Sequence, residues 1–108
     1  MVQQISVQEL ERKLTAGDPV HLLDVRQPWE HETAALPNSQ LIPMQELPGR
    51  VAEIQPPAGA LLVVYCHHGI RSLSAAALLG HLGLRDVASL AGGIDAWSLQ
   101  VDPRVPRY

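Results

Sequence analysis

Leu61-Leu-Val-Val-Tyr-Cys-His-His-Gly-Ile-Arg-Ser72 is the stretch that decides the fold. Five residues from Leu61 to Tyr65 are apolar without alternation, as in a strand buried on both faces of a parallel sheet. The run stops at Cys66. Gly69 and its polar neighbours mark a tight loop. Residues 72–82 then read as a helix with Leu73, Ala76, Ala77 and Gly80 along one face, closed by Gly83. Strand, Cys-led loop and helix place a thiol at the carboxyl end of a central strand. Open α/β sheets bind ligands at that edge. The loop N–H groups and the start of the following helix favour an anion there.

Upstream of this stretch, residues 3–5 read as a short strand. Ser6-Val-Gln-Glu9 has capping-box spacing, so a helix should start at Val7 and end at Gly17, with Val7, Leu10 and Leu14 on one face. Residues 20–25 are a second apolar strand, and Asp24 and Arg26 fall at its carboxyl end, on the same edge as Cys66. Pro28 suits the first turn of a short helix reaching about Ala34. Residues 36–39 have turn chemistry, and residues 40–42 suit a brief strand stopped by Pro43. Residues 44–54 form a weak helix interrupted by Pro48-Gly49, with Leu47, Val51 and Ile54 facing the core. Downstream, residues 86–90 are a last strand, Gly92-Gly93 a tight turn, and residues 94–99 a short helix anchored by Trp97. Alternating strands and helices with short connections predict one α/β domain with a mostly parallel sheet over residues 1–100. Residues 101–108, with two prolines, should lie extended on the surface or fray.

The 108 residues suffice for one domain and one core. With no Phe, that core must be aliphatic. A net charge of −3 gives no reason to expect nucleic acid or an anionic membrane as partner. No apolar run approaches a membrane span, and the start lacks a signal-peptide pattern, so the expected location is cytoplasmic. A single small domain suggests a monomer. The one Cys excludes an internal disulfide. A metal site from Cys66, His67 and His68 is disfavoured, because consecutive residues seldom turn three ligands to one ion. His21, His31 and His81 are scattered and read as structural or surface residues.

Three segments in order resemble the rhodanese family of single-domain sulfurtransferases. They are Asp24-Val-Arg26 with Pro28-Trp29-Glu30, the loop Cys66-His-His-Gly-Ile-Arg71, and Leu90-Ala-Gly-Gly-Ile-Asp-Ala-Trp97. The resemblance implies a small parallel sheet of about five strands with helices on both faces. It implies no cofactor, and a small-molecule sulfur donor and acceptor, with a protein acceptor also open. Cys66 would be the nucleophile, and thiolate is the reactive form. The loop residues His67, His68, Gly69, Ile70 and Arg71 would bind the donor. Arg71 would add a fixed charge that faces the anion, since a first-turn Arg otherwise opposes the helix dipole. Adjacent His67 and His68 should diverge, one toward solvent at the mouth and one packed. Asp24, Arg26 and Ser72 would support the site, the first two as a buried network and not an exposed pair.

Two positions depart from the family pattern. Ala34-Ala35-Leu36-Pro37-Asn38-Ser39 stands where Gly-His-Ile-Pro-Gly-Ala is common, so the role of that His does not transfer. His67 follows the Cys where thiosulfate-preferring members often carry Arg. A His there is mostly neutral at pH 7. The first expectation is a thiosulfate sulfurtransferase working through a Cys66 persulfide, with cyanide or a thiol as acceptor. The alternatives are a sulfur-relay module loaded by protein partners, an inactive binding domain, which the intact Cys66 opposes, and a Cys-dependent phosphatase.

Overall fold

The computed structural model describes residues 2–108. Its centre is the predicted strand, β4, over Leu61–Tyr65. Earlier in the chain come β1 (Gln3–Ile5), α1 (Val7–Ala16), β2 (Val20–Asp24), α2 (Pro28–Thr33), β3 (Gln40–Leu41) and α3 (Leu47–Arg50). After β4 come α4 (Ile70–His81), β5 (Val87–Leu90) and α5 (Gly93–Gln100). The five strands form one sheet in the order β1-β5-β4-β2-β3, and every pairing is parallel.

Alternation along β4 divides the core into two layers. Val63 and Tyr65 point to the face covered by Val7 and Leu10 of α1 and by Ile94 and Trp97 of α5. Leu62, Val64 and Cys66 point to the other face, beneath Ala75, Ala76 and Leu79 of α4 and Leu47 of α3. Cys66 is therefore the last inward residue of the central strand's own period, carried one step past its end. Register brings Asp24 of β2 beside Tyr65 of β4, so the ends of both strands open on one edge.

Local chemistry explains most element boundaries. Ser6 Oγ accepts from the Glu9 N–H at 3.1 Å and Glu9 returns a bond to the Ser6 N–H, which fixes the start of α1. Gly17 ends it in the left-handed region. Pro48-Gly49 break the segment after β3 more than the pattern suggests, into a 3₁₀ turn (Met44–Glu46), the one-turn α3 and a second 3₁₀ turn (Val51–Glu53). Leu47 and Ile54 are buried as expected, whereas Val51 is only half-buried. Among the described residues no helix is long and apolar enough to cross a membrane.

Three expectations need correction. Helix α4 starts at Ile70, two residues early, because Gly69 at φ 97° turns the chain directly into it. Its buried stripe is Ser72, Ala75, Ala76 and Leu79, with Ala77 and Gly80 exposed. Small alanines and a buried Ser72 give the helix no clear apolar period in the sequence. Leu14 does not share the buried face of Val7 and Leu10 but is 41% exposed, a turn beyond the last covered residue. Most consequentially, residues 101–108 lie on the surface as expected but do not fray. Val101, Val105 and Tyr108 pack against the core, and the Asp102 N–H donates to the Trp97 carbonyl at 2.9 Å.

Candidate active site

The thiol sits in a bowl made by the turn from β4 into α4. Cys66 is 1% exposed. Its Sγ accepts from the Gly69 N–H at 3.1 Å and the Ser72 N–H at 3.3 Å. Ser72 is the third residue of α4, so the sulfur fills the place of a capping oxygen for an otherwise unpaired helix N–H. Ser72 Oγ lies 3.5 Å from the sulfur and 2.7 Å from Ser89 Oγ on β5. All three side chains are buried. When the sulfur is an anion, Ser72 can donate to it while accepting from Ser89.

Helix α5 holds the outer side of the loop. The Ile94 N–H donates to the Cys66 carbonyl at 2.9 Å, and the Asp95 N–H to the His67 carbonyl at 3.0 Å. Peptide planarity then turns the N–H groups of His67 and His68 away from α5. Gly93, the first residue of α5 and not part of a turn before it, makes this approach possible, since a Cβ there would collide with the Cys66 and His67 carbonyls.

Arg71 does not point alone at the bowl. It forms a two-pronged ion pair with Glu30 of α2, at 2.8 and 2.9 Å. Glu30 is buried, and the Arg71 side chain is 38% exposed. The guanidinium holds the Glu30 carboxyl at about 2, with the Gln27 N–H and the Tyr108 hydroxyl contributing. In the sequence Glu30 stands out only as part of the Pro28-Trp29-Glu30 signature, and its Arg partner lies 41 residues away, a pairing that no local pattern displays. Ile70, beside Arg71, is 76% exposed at the rim.

His67 and His68 stack, contrary to the expected divergence. Their ring centroids are 3.9 Å apart. His67 is the packed one, with its other face 4.0 Å from the ring of Tyr108, while His68 is exposed. Burial between these rings, with His68 adjacent, pulls His67 below the ordinary imidazole value. Nitrogens of both rings and an Asp95 oxygen lie within 4.8 Å of one another. That cluster suits a cation poorly. Lone pairs lie in the planes of two stacked rings and run side by side, and Asp95 is already paired with Arg107 at 2.9 Å.

The supporting pair is buried as the resemblance implied. Arg26 and Asp24 are both 0% exposed and meet through two bonds of 2.7 and 2.8 Å. Arg26 also donates to the Ala34 carbonyl and to the Tyr108 hydroxyl, and His31 Nδ1 lies 2.8 Å from Asp24. His31 thus belongs to this network. His21 lies 2.8 Å from Gln40 and His81 is exposed. Trp97 is buried in α5 as expected, although its indole N–H has no partner among the described residues.

A parallel five-stranded sheet, with a buried thiol at its carboxyl edge ringed by N–H donors, defines an α/β protein built around a Cys-led loop. The rhodanese-like domain model matches residues 6–100, and the chain belongs to that family. It is similar to a sulfurtransferase of Allochromatium vinosum, 37% identical over 98 residues that cover 91% of this chain and 90% of that protein. It is also similar to the chloroplastic rhodanese-like/PpiC domain-containing protein 12 of Arabidopsis thaliana, 36% identical over 116 residues, covering 99% of this chain but 38% of that protein. The crystal structure of a rhodanese-like domain protein from Staphylococcus aureus superposes with a TM-score of 0.82 at 28% identity, covering 99% of both chains. The chain thus spans little more than a third of the Arabidopsis protein, whereas the Allochromatium relative that it matches over nearly its whole length is named a sulfurtransferase.

Proposed function

We propose that this chain is a sulfurtransferase that carries sulfur as a persulfide on Cys66, taking it from thiosulfate or a similar donor. The observation that carries the reading is the buried sulfur with N–H donors at 3.1 and 3.3 Å and a hydroxyl at 3.5 Å. Fixed donors of this kind stabilise charge without reorganising. The Cys66 thiolate attacks the outer sulfur of thiosulfate. The old S–S bond breaks and sulfite leaves with its electron pair. The terminal sulfur of the persulfide then passes to cyanide or a thiol, and the thiolate returns. No general base is needed once the thiolate exists.

Phosphate-ester hydrolysis fits less well. Four residues separate Cys66 from Arg71, one fewer than in the Cys-led phosphatases that the loop resembles, and the shorter bowl suits one sulfur better than a phosphate. The buried Asp24 is bonded to Arg26 and His31 and has no freedom to protonate a leaving oxygen. Assayed on one preparation, thiosulfate with cyanide should be turned over and an aryl phosphate should not. Comparable phosphatase turnover that Cys66→Ser abolishes would defeat the reading.

The Glu30 pairing changes what Arg71 can be expected to do. Arg71→Ala leaves an ionised Glu30 at the mouth, which repels a dianion. Thiosulfate kcat/KM should fall about tenfold, the low end for a charge-assisted contact because the pair is partly in water. The double variant Glu30→Gln/Arg71→Ala removes both charges and should recover most of that loss. A double variant as poor as the single would instead mean that Arg71 grips the donor directly.

A further inference from the structure

Tyr108 reaches the mouth of the Cys66 loop through the tail of residues 101–108. The Tyr108 ring lies 4.0 Å from His67 at an interplanar angle of 9° and meets Trp29 edge-on at 5.8 Å. Its hydroxyl accepts from Arg26 Nη1 at 2.6 Å and donates to Glu30 Oε2 at 2.8 Å. Burial pushes the phenol up to about 12, so the hydroxyl keeps its proton and can serve both partners at once. A further clasp, Arg107 on Asp95, holds the tail beside the loop.

We propose that Tyr108 is a positioning residue that tunes donor specificity: it holds the mouth of the Cys66 loop neutral and so weakens its grip on a doubly charged donor such as thiosulfate relative to singly charged or neutral ones. This rests on the sulfur-transfer reading above. Two contacts produce the neutrality. The hydroxyl helps fix Glu30 where it cancels Arg71. The ring covers the His67 face that His68 leaves open, removing imidazole from the water that would stabilise its cation. Two further pairs of charges lie near the mouth, Arg107 with Asp95 and Arg26 with Asp24.

The groups facing His67 are His68 on its own loop, Tyr108 of the tail, Glu30 of α2, Arg71 of α4 and Asp95 of α5. Glu30 and Asp95 attract a proton to the ring, whereas His68 and Arg71 oppose it, after burial, the largest influence. Releasing the ring to solvent therefore leaves it free to protonate as pH falls, which puts a cation on the loop residue that follows Cys66. A donor dianion gains from that cation, and a neutral or singly charged donor gains less.

The test compares wild type, Tyr108→Phe and Tyr108→Ala. The His67 titration, followed by NMR of the ring, should move upward in Tyr108→Ala and stay near wild type in Tyr108→Phe, which keeps the stack. The KM for thiosulfate in Tyr108→Ala should improve between pH 8 and pH 6 by about tenfold relative to wild type, the effect of one charge-assisted contact. Adding His67→Gln should abolish that gain. A merely structural role would change activity without this pH signature or its loss in the double variant. An unmoved His67 titration in Tyr108→Ala, or a KM ratio that does not change with pH, would overturn the proposal. Failure of every variant to load sulfur would instead sink the sulfur-transfer reading, and the proposal with it.

Discussion

Cys66→Ser should take up no sulfur from thiosulfate and return none to cyanide. The expected loss is complete, because Cys66 is the only thiol in the chain and no second residue can hold the sulfur. Intact-mass spectra should show wild type gaining the mass of one sulfur atom and losing it to cyanide, while the variant stays unchanged. The substitution is conservative in shape. A hydroxyl can still accept from the Gly69 and Ser72 N–H groups that now reach the sulfur. Loss of function without loss of fold is therefore the specific expectation, and an unchanged urea midpoint would establish that the fold survives. Sulfur uptake by Cys66→Ser would place the chemistry elsewhere and defeat the persulfide reading outright.

The legible parts of this protein were those written in short spans of sequence. The apolar run of β4 and the capping box at Ser6 each act over a few residues, and each stands where its pattern put it. The thiol's place at the strand end followed from the same local reading. Partnership over distance was less legible. Arg71 was recognised as a charge but not as the partner of Glu30, since proximity between α2 and α4 is created only by the sheet. Tyr108 is the extreme case, with bonds to residues 82 and 78 positions away and nothing around it but a Pro-rich tail. Ser89 was hidden for a different reason. It lies on a buried strand, where a Ser reads as a weak point in the apolar pattern until Ser72 appears beside it at 2.7 Å. The stacking of His67 on His68 was misjudged because the third ring, from Tyr108, was not in view.

Gly93→Ala should be nearly as damaging as loss of the thiol, although Gly93 touches no substrate. Gly93 stands at φ 61°, a conformation that Ala adopts only with strain. Space is the larger problem. A Cβ there would come within 2.5 Å of the Cys66 carbonyl oxygen and 2.6 Å of the His67 carbonyl carbon. These are backbone atoms with no rotamer to yield, so the loop itself must move. It is also tied to α5 by the Ile94 and Asp95 N–H bonds, and the same displacement would lengthen both. Shifting the Cys66 loop by about 1 Å takes the sulfur out of line with its donors, which costs on the order of 100-fold in rate. Strain and overpacking together should lower stability by roughly 2–4 kcal/mol. Gly49→Ala is the matched control: no atom lies within 4 Å of its added Cβ and its φ is not positive. It should leave sulfur loading intact and alter the urea midpoint little. Gly93→Ala with a loading rate within twofold of wild type would show that α5 does not set the position of the sulfur, and the loop would have to be held by α4 alone.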